Sequence, residues 1–229
     1  MKDNHDGKTA RDFKSVIFDF DYTLVDSSEG VIECVNYALR NMNLPAASGG
    51  DIRQTIGLSI GDTLRRLTES SCQADQIDQF SKFFTEKADQ VMQQQMVLFD
   101  SVKPTVKALL DGGLTLGIVS TKFRYRIEAF LEKEDIAHVF AVVVGGEDVV
   151  SHKPDPAGMQ MAIERLGCKP SDVVYVGDST VDAETARNAA TPFIAVLSGV
   201  TPRVAFDGNV PYAIIENLWR LPALILNTA

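Results

Sequence analysis

The sequence predicts an α/β protein with a doubly wound parallel sheet and an inserted helical segment. From Pro104 onward, short apolar runs alternate with segments of helical spacing, as in a sheet whose parallel strands are joined by helices. Residues 28–98 show helical spacing and no convincing strand. The 229 residues are 45% hydrophobic, which is enough for the core of a globular protein.

The first predicted strand is Val16–Phe18, whose β-branched and aromatic residues are typical of a strand buried on both faces. Asp19 and Asp21 follow it, and they would project to the same side if the strand continued that far. Two nearby carboxylates repel each other unless a cation or a shared proton relieves them. The alternative interpretation of this stretch is a strand that ends in a solvated acidic turn.

The segment from residue 28 to 98 is predicted to be helical throughout. Its apolar residues recur every three or four positions, as an amphipathic helix requires. The first stripe is Val31, Val35, Leu39 and Met42; the second is Ile60, Leu64 and Leu67; the third is Ile77, Phe80, Phe84, Ala88 and Val91.

The rest of the chain is predicted to alternate between helices and strands. Proline in the first turn and the pair Gly112-Gly113 delimit the first of these helices. The predicted helices are 104–110, 124–133, one that ends at Leu166, and one rich in small residues from 183 to 190. The predicted strands are 114–119, 139–144, 173–176, 193–197 and 212–215.

Charge and composition exclude several classes of protein. The formal net charge of −9 makes nucleic acid an unsuitable partner, although a locally positive site can still bind a small anion. The three cysteines are far apart and show neither a disulfide framework nor zinc spacing, which fits a reducing cytoplasm. No apolar run approaches the roughly 18 residues of a membrane span. Residues 1–14 lack the apolar centre of a signal peptide and are predicted to be a loose tail.

Polar residues stand at or after the ends of four predicted strands. Ser120 follows the second strand, Lys153 the third, and Asp178 the fourth, with Asp182 one helical turn later. Ligands bind at this edge of a parallel sheet, and carboxylates with a lysine suit magnesium and phosphate. Each residue also has a structural interpretation: a helix cap for Ser120, a solvated loop for Lys153, and turn or first-turn acids for Asp178 and Asp182.

Taken together, four motifs resemble the haloacid dehalogenase superfamily, in the branch that contains phosphoglycolate phosphatases and β-phosphoglucomutases. The motifs are Asp19-x-Asp21-x-Thr23, Ser120-Thr121, Lys153-Pro154 and Gly177-Asp178-Ser179-x-x-Asp182. The resemblance implies a Rossmann-like catalytic core formed by residues 15–27 and 99–229, with residues 28–98 as a helical cap domain. We expect hinges near Ser27 and Phe99, through which the cap would close and exclude water.

The resemblance also implies a mechanism. Asp19 would attack phosphorus and form an aspartyl-phosphate, and Asp21 would serve as the general acid and base. Mg²⁺ would be held by Asp19, the backbone carbonyl of Asp21, Asp178 and, in an assisting role, Asp182.

The charge on the transferred phosphoryl group would be neutralised by Ser120, the backbone near Thr121, and Lys153.

Two residues depart from the family pattern. Tyr22 stands where the family usually has glycine, so the turn differs or the ring shapes the substrate entrance, because tyrosine disfavours positive φ. Thr121 stands where the family often has asparagine.

The sequence favours a magnesium-dependent phosphatase for a small phosphorylated metabolite, acting as a monomer or homodimer. A phosphosugar mutase is less favoured, because Ile60 follows Gly57-Leu58-Ser59 where mutases of the family have an arginine. A pyrophosphatase and a phosphate-binding or receiver-like protein remain as alternatives. The polar cap residues that could select the substrate, or simply be solvated, are Arg53, Thr55, Ser59 and Arg65.

Overall fold

The computed structural model describes residues 13–208 and 211–226. Its strands are β1 (Ser15–Phe18), β2 (Val25–Asp26), β3 (Val97–Leu98), β4 (Thr115–Val119), β5 (Phe140–Val144), β6 (Val173–Gly177), β7 (Phe193–Val196) and β8 (Ala213–Ile215). Its α-helices are α1 (Ser28–Asn41), α2 (Gly49–Arg53), α3 (Ile60–Thr68), α4 (Ala74–Gln95), α5 (Val102–Asp111), α6 (Arg124–Lys133), α7 (Ala157–Arg165), α8 (Thr180–Asn188) and α9 (Leu221–Ile225).

Six strands form one parallel sheet in the order β5-β4-β1-β6-β7-β8, which confirms the predicted doubly wound α/β fold. The strand order reverses at β1, which lies between β4 and β6. Successive residues of β1 enter opposite layers, with Val16 and Phe18 in the core beneath α5 and α6 and Ile17 in the core beneath α7 and α8. Both faces of the sheet are therefore covered, and the strands are mostly apolar.

The structure corrects the prediction that residues 28–98 contain no strand. Val97 and Leu98 form β3, which pairs antiparallel with β2. Two residues are too few to show the alternation that identifies a strand in a sequence. Three further short elements were not predicted: β2, α2 and α9. Other differences are at element ends: Ala137–Val139 form a 3₁₀ turn before β5, and β8 begins one residue after Tyr212.

Helices α1 to α4 lie between β2 and β3 and pack chiefly along the contact of α1 with α4. Their buried apolar residues continue into the core on one side of the sheet. The assignment of residues 28–98 as a separate cap domain stays a prediction. No described helix is both long and apolar enough to cross a membrane.

The predicted N-terminal tail falls largely outside the described residues. Its last two residues, however, contact the folded chain. The Phe13 ring is buried and lies edge-on to Tyr212, with 5.5 Å between ring centroids. Lys14 Nζ lies 2.8 Å from Asp172 Oδ2.

Candidate active site

The chain places its polar motifs at one edge of the sheet, where β1, β4 and β6 end. Asp19 directly follows β1, Ser120 follows β4, and Asp178 follows β6. β1 itself stops at Phe18, and Asp21 lies in a turn closed by a hydrogen bond from the Tyr22 amide to the Val25 carbonyl (2.7 Å). Because these strands are neighbours, residues far apart in the sequence meet at the switch point of the strand order.

Lys153 lies at the centre of a buried carboxylate cluster. Its Nζ is 2.9 Å from Asp19 Oδ1 and 2.6 Å from Asp182 Oδ1. Single carboxylate oxygens of Asp19, Asp178 and Asp182 all lie within 4.8 Å of one another. The structure thus brings together four residues that the sequence singled out.

Burial controls the protonation of this cluster. It raises the pKa of Asp19 to about 7, against the opposing effect of Lys153. Burial, reinforced by Asp182 and Asp19, raises the pKa of Asp178 well above its ordinary value. Burial lowers the pKa of Lys153, but the carboxylates of Asp182 and Asp19 outweigh it and raise that pKa above the ordinary value. The lysine therefore stays protonated.

The donor set of this cluster fits Mg²⁺. The ion prefers carboxylate oxygens, and a divalent cation would offset both the burial and the mutual repulsion that raise the pKa of Asp19 and Asp178. Asp182 is also oriented by the start of α8, because its Oδ2 accepts hydrogen bonds from the amide (3.1 Å) and hydroxyl (2.6 Å) of Ser179. The Asp21 side chain is not part of the triad; the ligand predicted from this residue is its backbone carbonyl.

The Asp21 carboxylate is held by two side chains beside the cluster. The Ser27 hydroxyl donates to Asp21 Oδ1 at 2.5 Å, and Lys122 Nζ lies 3.1 Å from the same oxygen. Both Asp21 and Lys122 also line a cavity between the sheet edge and the α1–α4 helices. Asp21 thus faces the space in which a leaving group could lie.

Ser120 and Thr121 occupy the loop after β4. The Ser120 hydroxyl is buried and accepts a hydrogen bond from the Lys122 amide at 3.3 Å. The Thr121 hydroxyl donates to the Gly57 carbonyl at 3.1 Å. Thr121 therefore connects the sheet edge to the loop between α2 and α3, and its predicted phosphate contact stays a prediction.

Tyr22 adopts the left-handed backbone conformation that glycine favours, with φ of 59°. The backbone at this position is therefore one that the glycine usual in the family would also adopt. The Ser198 hydroxyl donates to the Tyr22 carbonyl at 2.5 Å, and the tyrosine side chain is buried. Burial raises the pKa of Tyr22 to about 12, so its hydroxyl stays neutral.

The cavity next to Asp21 has a volume of about 60 Å³. A cavity needs roughly 10–15 Å³ to hold one water molecule, so this cavity has room for only a few atoms. Its walls combine apolar side chains with the cations Lys122 and Arg126. The apolar lining consists of Val31, Ile56, Leu58, Ile60, Phe80, Phe84 and Phe123.

The four polar cap residues singled out by the sequence have different positions. Thr55 is buried and lines the cavity, and its hydroxyl donates to the Ile52 carbonyl at 2.7 Å. Ser59 accepts a hydrogen bond from the Asp62 amide and so caps α3. Two surface ion pairs hold the arginines, Arg53 with Glu29 (2.6 Å) and Arg65 with Asp62 (2.8 Å). Thr55 is thus the one member of this set among the cavity-lining residues.

Sequence reasoning missed Lys122, Arg126 and Tyr175. Lys122 follows Ser120-Thr121 directly, so its position in the motif could have identified it. Arg126 lies one helical turn further on, where its guanidinium contacts Asp89 Oδ1 through Nη2 at 2.7 Å. Tyr175 carries no sequence signal, because an aromatic residue inside an apolar strand is typical of the core.

Comparison with known proteins identifies, along most of the chain, the same family that the sequence motifs resemble. A family model of haloacid dehalogenase-like hydrolases matches residues 16–196. Phosphoglycolate phosphatases from Escherichia coli strain K12 and Salmonella typhimurium are 31% and 32% identical, each over 93% of this chain and 93% of the relative.

Solved structures agree. A protein from Bacteroides fragilis assigned as a haloacid dehalogenase-like hydrolase superimposes with a TM-score of 0.89 at 39% identity, covering 91% of this chain and 99% of that one. A predicted phosphoglycolate phosphatase from Haemophilus somnus superimposes with a TM-score of 0.80 at 27% identity, covering 94% and 98%.

The fold is that of a hydrolase family, and a cluster of buried carboxylates and a lysine lies at the switch point of its parallel sheet. The chain belongs to the haloacid dehalogenase-like hydrolase family. The enzyme is a phosphatase.

Proposed function

We propose that the protein is a magnesium-dependent phosphatase that hydrolyses a small phosphorylated metabolite, phosphoglycolate or a related compound, through an aspartyl-phosphate on Asp19. The observation that carries the proposal is the position of Lys153, 2.9 Å from Asp19 Oδ1 and 2.6 Å from Asp182 Oδ1. A buried lysine beside a carboxylate nucleophile supplies positive charge where the phosphoryl oxygens gather negative charge.

In the first step, an oxygen of Asp19 attacks phosphorus and the bond from phosphorus to the leaving oxygen breaks. Asp21 gives its proton to that oxygen, so the leaving group departs as an alcohol. The Asp21 carboxyl suits this role because Ser27 and Lys122 fix it at the wall of the cavity.

In the second step, Asp21, now a carboxylate, takes a proton from water. The water oxygen attacks phosphorus, the bond between phosphorus and Asp19 breaks, and inorganic phosphate and free Asp19 result. Ser120 and Lys153 would stabilise the charge on the phosphoryl oxygens in both steps.

Asp19 and Asp178 would hold Mg²⁺ with the Asp21 backbone carbonyl, and Asp182 would assist. When bound, the ion supplies positive charge that offsets the negative charge on the carboxylates and the phosphoryl group.

The substrate proposal is supported by the size of the cavity. A cavity of about 60 Å³ suits a leaving group of a few atoms. The two cations in its wall are already paired, Lys122 with Asp21 and Arg126 with Asp89. Phosphoglycolate phosphatase is the name carried by relatives that align over 93% of this chain. A mutase is not favoured, since Ile60 lines the cavity where an arginine would be needed for a distal phosphate.

The test is release of inorganic phosphate from a panel of phosphometabolites with and without Mg²⁺. The panel includes phosphoglycolate, pyrophosphate, a nucleotide and a hexose 1-phosphate. We expect the highest kcat/KM with phosphoglycolate or another two- or three-carbon phosphate, no isomerised hexose phosphate, and no turnover without Mg²⁺. The Asp19→Asn variant should lose turnover on every compound, and full activity in this variant would refute the nucleophile assignment.

A further inference from the structure

Tyr175 is a buried tyrosine of β6 whose hydroxyl reaches the active-site cluster. Its side chain is fully buried, and its ring lies 6.1 Å from that of Phe193. Most of the residue is ordinary core. The hydroxyl is different, because it lies among a lysine, a carboxylate and a backbone carbonyl at the end of β4.

Three polar atoms surround this hydroxyl. It lies 2.9 Å from Asp182 Oδ1, 3.1 Å from the Val119 carbonyl oxygen and 3.2 Å from Lys153 Nζ. A phenol has one proton to donate, so it donates to Asp182 or to Val119 and accepts from Lys153. The same hydroxyl therefore links the end of β4, the Lys153 loop and the start of α8.

The Lys153 ammonium contacts three groups of this cluster. Its Nζ donates hydrogen bonds to Asp182 Oδ1 at 2.6 Å and to the Tyr175 hydroxyl at 3.2 Å, and it forms an ion pair with Asp19 Oδ1 at 2.9 Å. Asp19 Oδ1 has no hydrogen-bond partner among the described residues. Tyr175 and Asp182 therefore hold two of the three lysine protons and leave one for a phosphoryl oxygen.

We propose that Tyr175 is a positioning residue for phosphoryl transfer. Its hydroxyl holds the Lys153 ammonium and the Asp182 carboxylate in place, so that the remaining lysine proton stays available to the phosphoryl group when substrate binds. This inference rests on the proposed phosphatase function, and it adds a role for a residue that touches neither substrate nor metal.

Removal of the hydroxyl has a defined consequence. Phenylalanine preserves the ring packing against Phe193 but leaves Lys153 with one acceptor fewer and Asp182 with one donor fewer. The ammonium is then free to shift toward the two carboxylates, away from the place of the phosphoryl oxygens. Loss of an outer hydrogen-bond partner of this kind typically lowers ligand affinity or activity by about 10- to 100-fold.

The experiment compares the native protein with Tyr175→Phe in two measurements. The first is the affinity for inorganic phosphate in the presence of Mg²⁺, from the rise in Tm with phosphate concentration. The second is kcat and KM on the best substrate of the panel. We expect phosphate affinity and kcat to fall by about tenfold or more, with KM for Mg²⁺ raised. Unchanged phosphate affinity together with unchanged kcat would overturn the proposal.

Thr105→Val is the matched control, because it removes a buried hydroxyl outside the site. Thr105 Oγ1 donates to the Leu218 carbonyl at 2.9 Å. Both variants should lower Tm, but only Tyr175→Phe should weaken phosphate binding. Equal effects of the two variants on phosphate affinity would show that Tyr175 is only structural and overturn the proposal.

A second variant keeps the test decisive if Tyr175→Phe does not fold. 4-Aminophenylalanine at position 175 preserves the ring and a donor, so it should retain phosphate affinity, and a loss of about tenfold would contradict the positioning role.

Phosphate binding also separates the proposed phosphatase function from the proposed role of Tyr175. A native protein that binds phosphate without hydrolysing any panel compound would refute the phosphatase function, while Tyr175 would still be tested by binding.

Discussion

The Asp19 carboxyl is buried and lies among other carboxylates, and this position has an energetic cost in the absence of a cation. Burial is the main reason that the pKa of Asp19 is raised to about 7, with Lys153 acting in the opposite direction. In the unfolded chain the pKa of an aspartate is about 4. The folded state therefore disfavours the charged form of Asp19.

This difference predicts that Mg²⁺ stabilises the protein more at pH 7.5 than at pH 5.5. A carboxyl with a raised folded-state pKa destabilises the metal-free protein as pH rises from about 4 to about 7, and the loss is constant above that range. A cation that favours the carboxylate reverses the loss. The measurement is the Tm with EDTA or with Mg²⁺ across this range of pH.

Asp19→Asn is the control for that prediction, because it removes the charge at nearly constant shape. In this variant, the Tm of the metal-free protein should depend less on pH between 4 and 7. A pH dependence identical to that of the native protein would contradict the assignment to Asp19.

For single residues, the sequence predicted the positions of the clustered acids better than the positions of the side chains that contact them. The proximity of Asp19, Asp178 and Asp182 followed from their places after parallel strands, because strand ends converge at one edge of the sheet. The contacts of Lys122 with Asp21 and of Tyr175 with Asp182 depend on side-chain direction within a loop and a strand. Residue type and spacing do not specify those directions.

The loop after β7 also lies close to the carboxylate cluster. Gly199 lies so near Asp178 that a Cβ at this position would overlap the Asp178 carboxylate. The same Cβ would lie 3.1 Å from Tyr22 Cβ. This loop therefore limits the space for Asp178 from outside the sheet.

We expect Gly199→Ala to displace Asp178 and to weaken activation by Mg²⁺ by about 10- to 100-fold. The measurement is turnover as a function of Mg²⁺ concentration. Gly208→Ala is a suitable control, since a Cβ at Gly208 has no atom within 4 Å. Equal Mg²⁺ dependence of both variants would show that the loop after β7 does not limit the position of Asp178.

The predicted elements agree with the structure where they are long and differ where they are short. The helix 124–133 has the bounds of α6. β3 was missed, because the pairing of Val97 and Leu98 with β2 arises from the fold and not from their own two-residue pattern.

On the scale of the whole molecule, the α1–α4 helices contact the sheet layer along α6. Arg126 of α6 donates to Asp89 of α4, and the hydroxyl of Tyr125 donates to the same carboxylate at 2.6 Å. Further along the same contact, Gln93 Nε2 donates to the Ala129 carbonyl at 3.2 Å. Motion of the helices about the hinges predicted near Ser27 and Phe99 breaks these contacts if it separates α4 from α6.

A short, reducible thiol crosslinker between cysteines introduced at Gln93 and Ala129 tests that motion. If α4 separates from α6 in each catalytic cycle, crosslinking should lower kcat and reduction should restore it. The measurement is turnover of the double variant before and after dithiothreitol, with the Gln93→Cys single variant as the control. Equal kcat in the crosslinked and reduced forms would exclude separation at this contact.

The chain passes from the sheet layer to the α1–α4 helices at β2 and returns at β3. The antiparallel pairing of these two strands brings both passages side by side. Val25 pairs with Leu98 and Asp26 with Val97, so the helical insertion leaves and re-enters the sheet layer at one point. Because the residues between Asp26 and Val97 share their core with one side of the sheet, a replacement segment would have to cover the same apolar surface. The insertion is otherwise joined to the sheet layer through one pair of adjacent strands, and this geometry suits its exchange between related proteins by grafting.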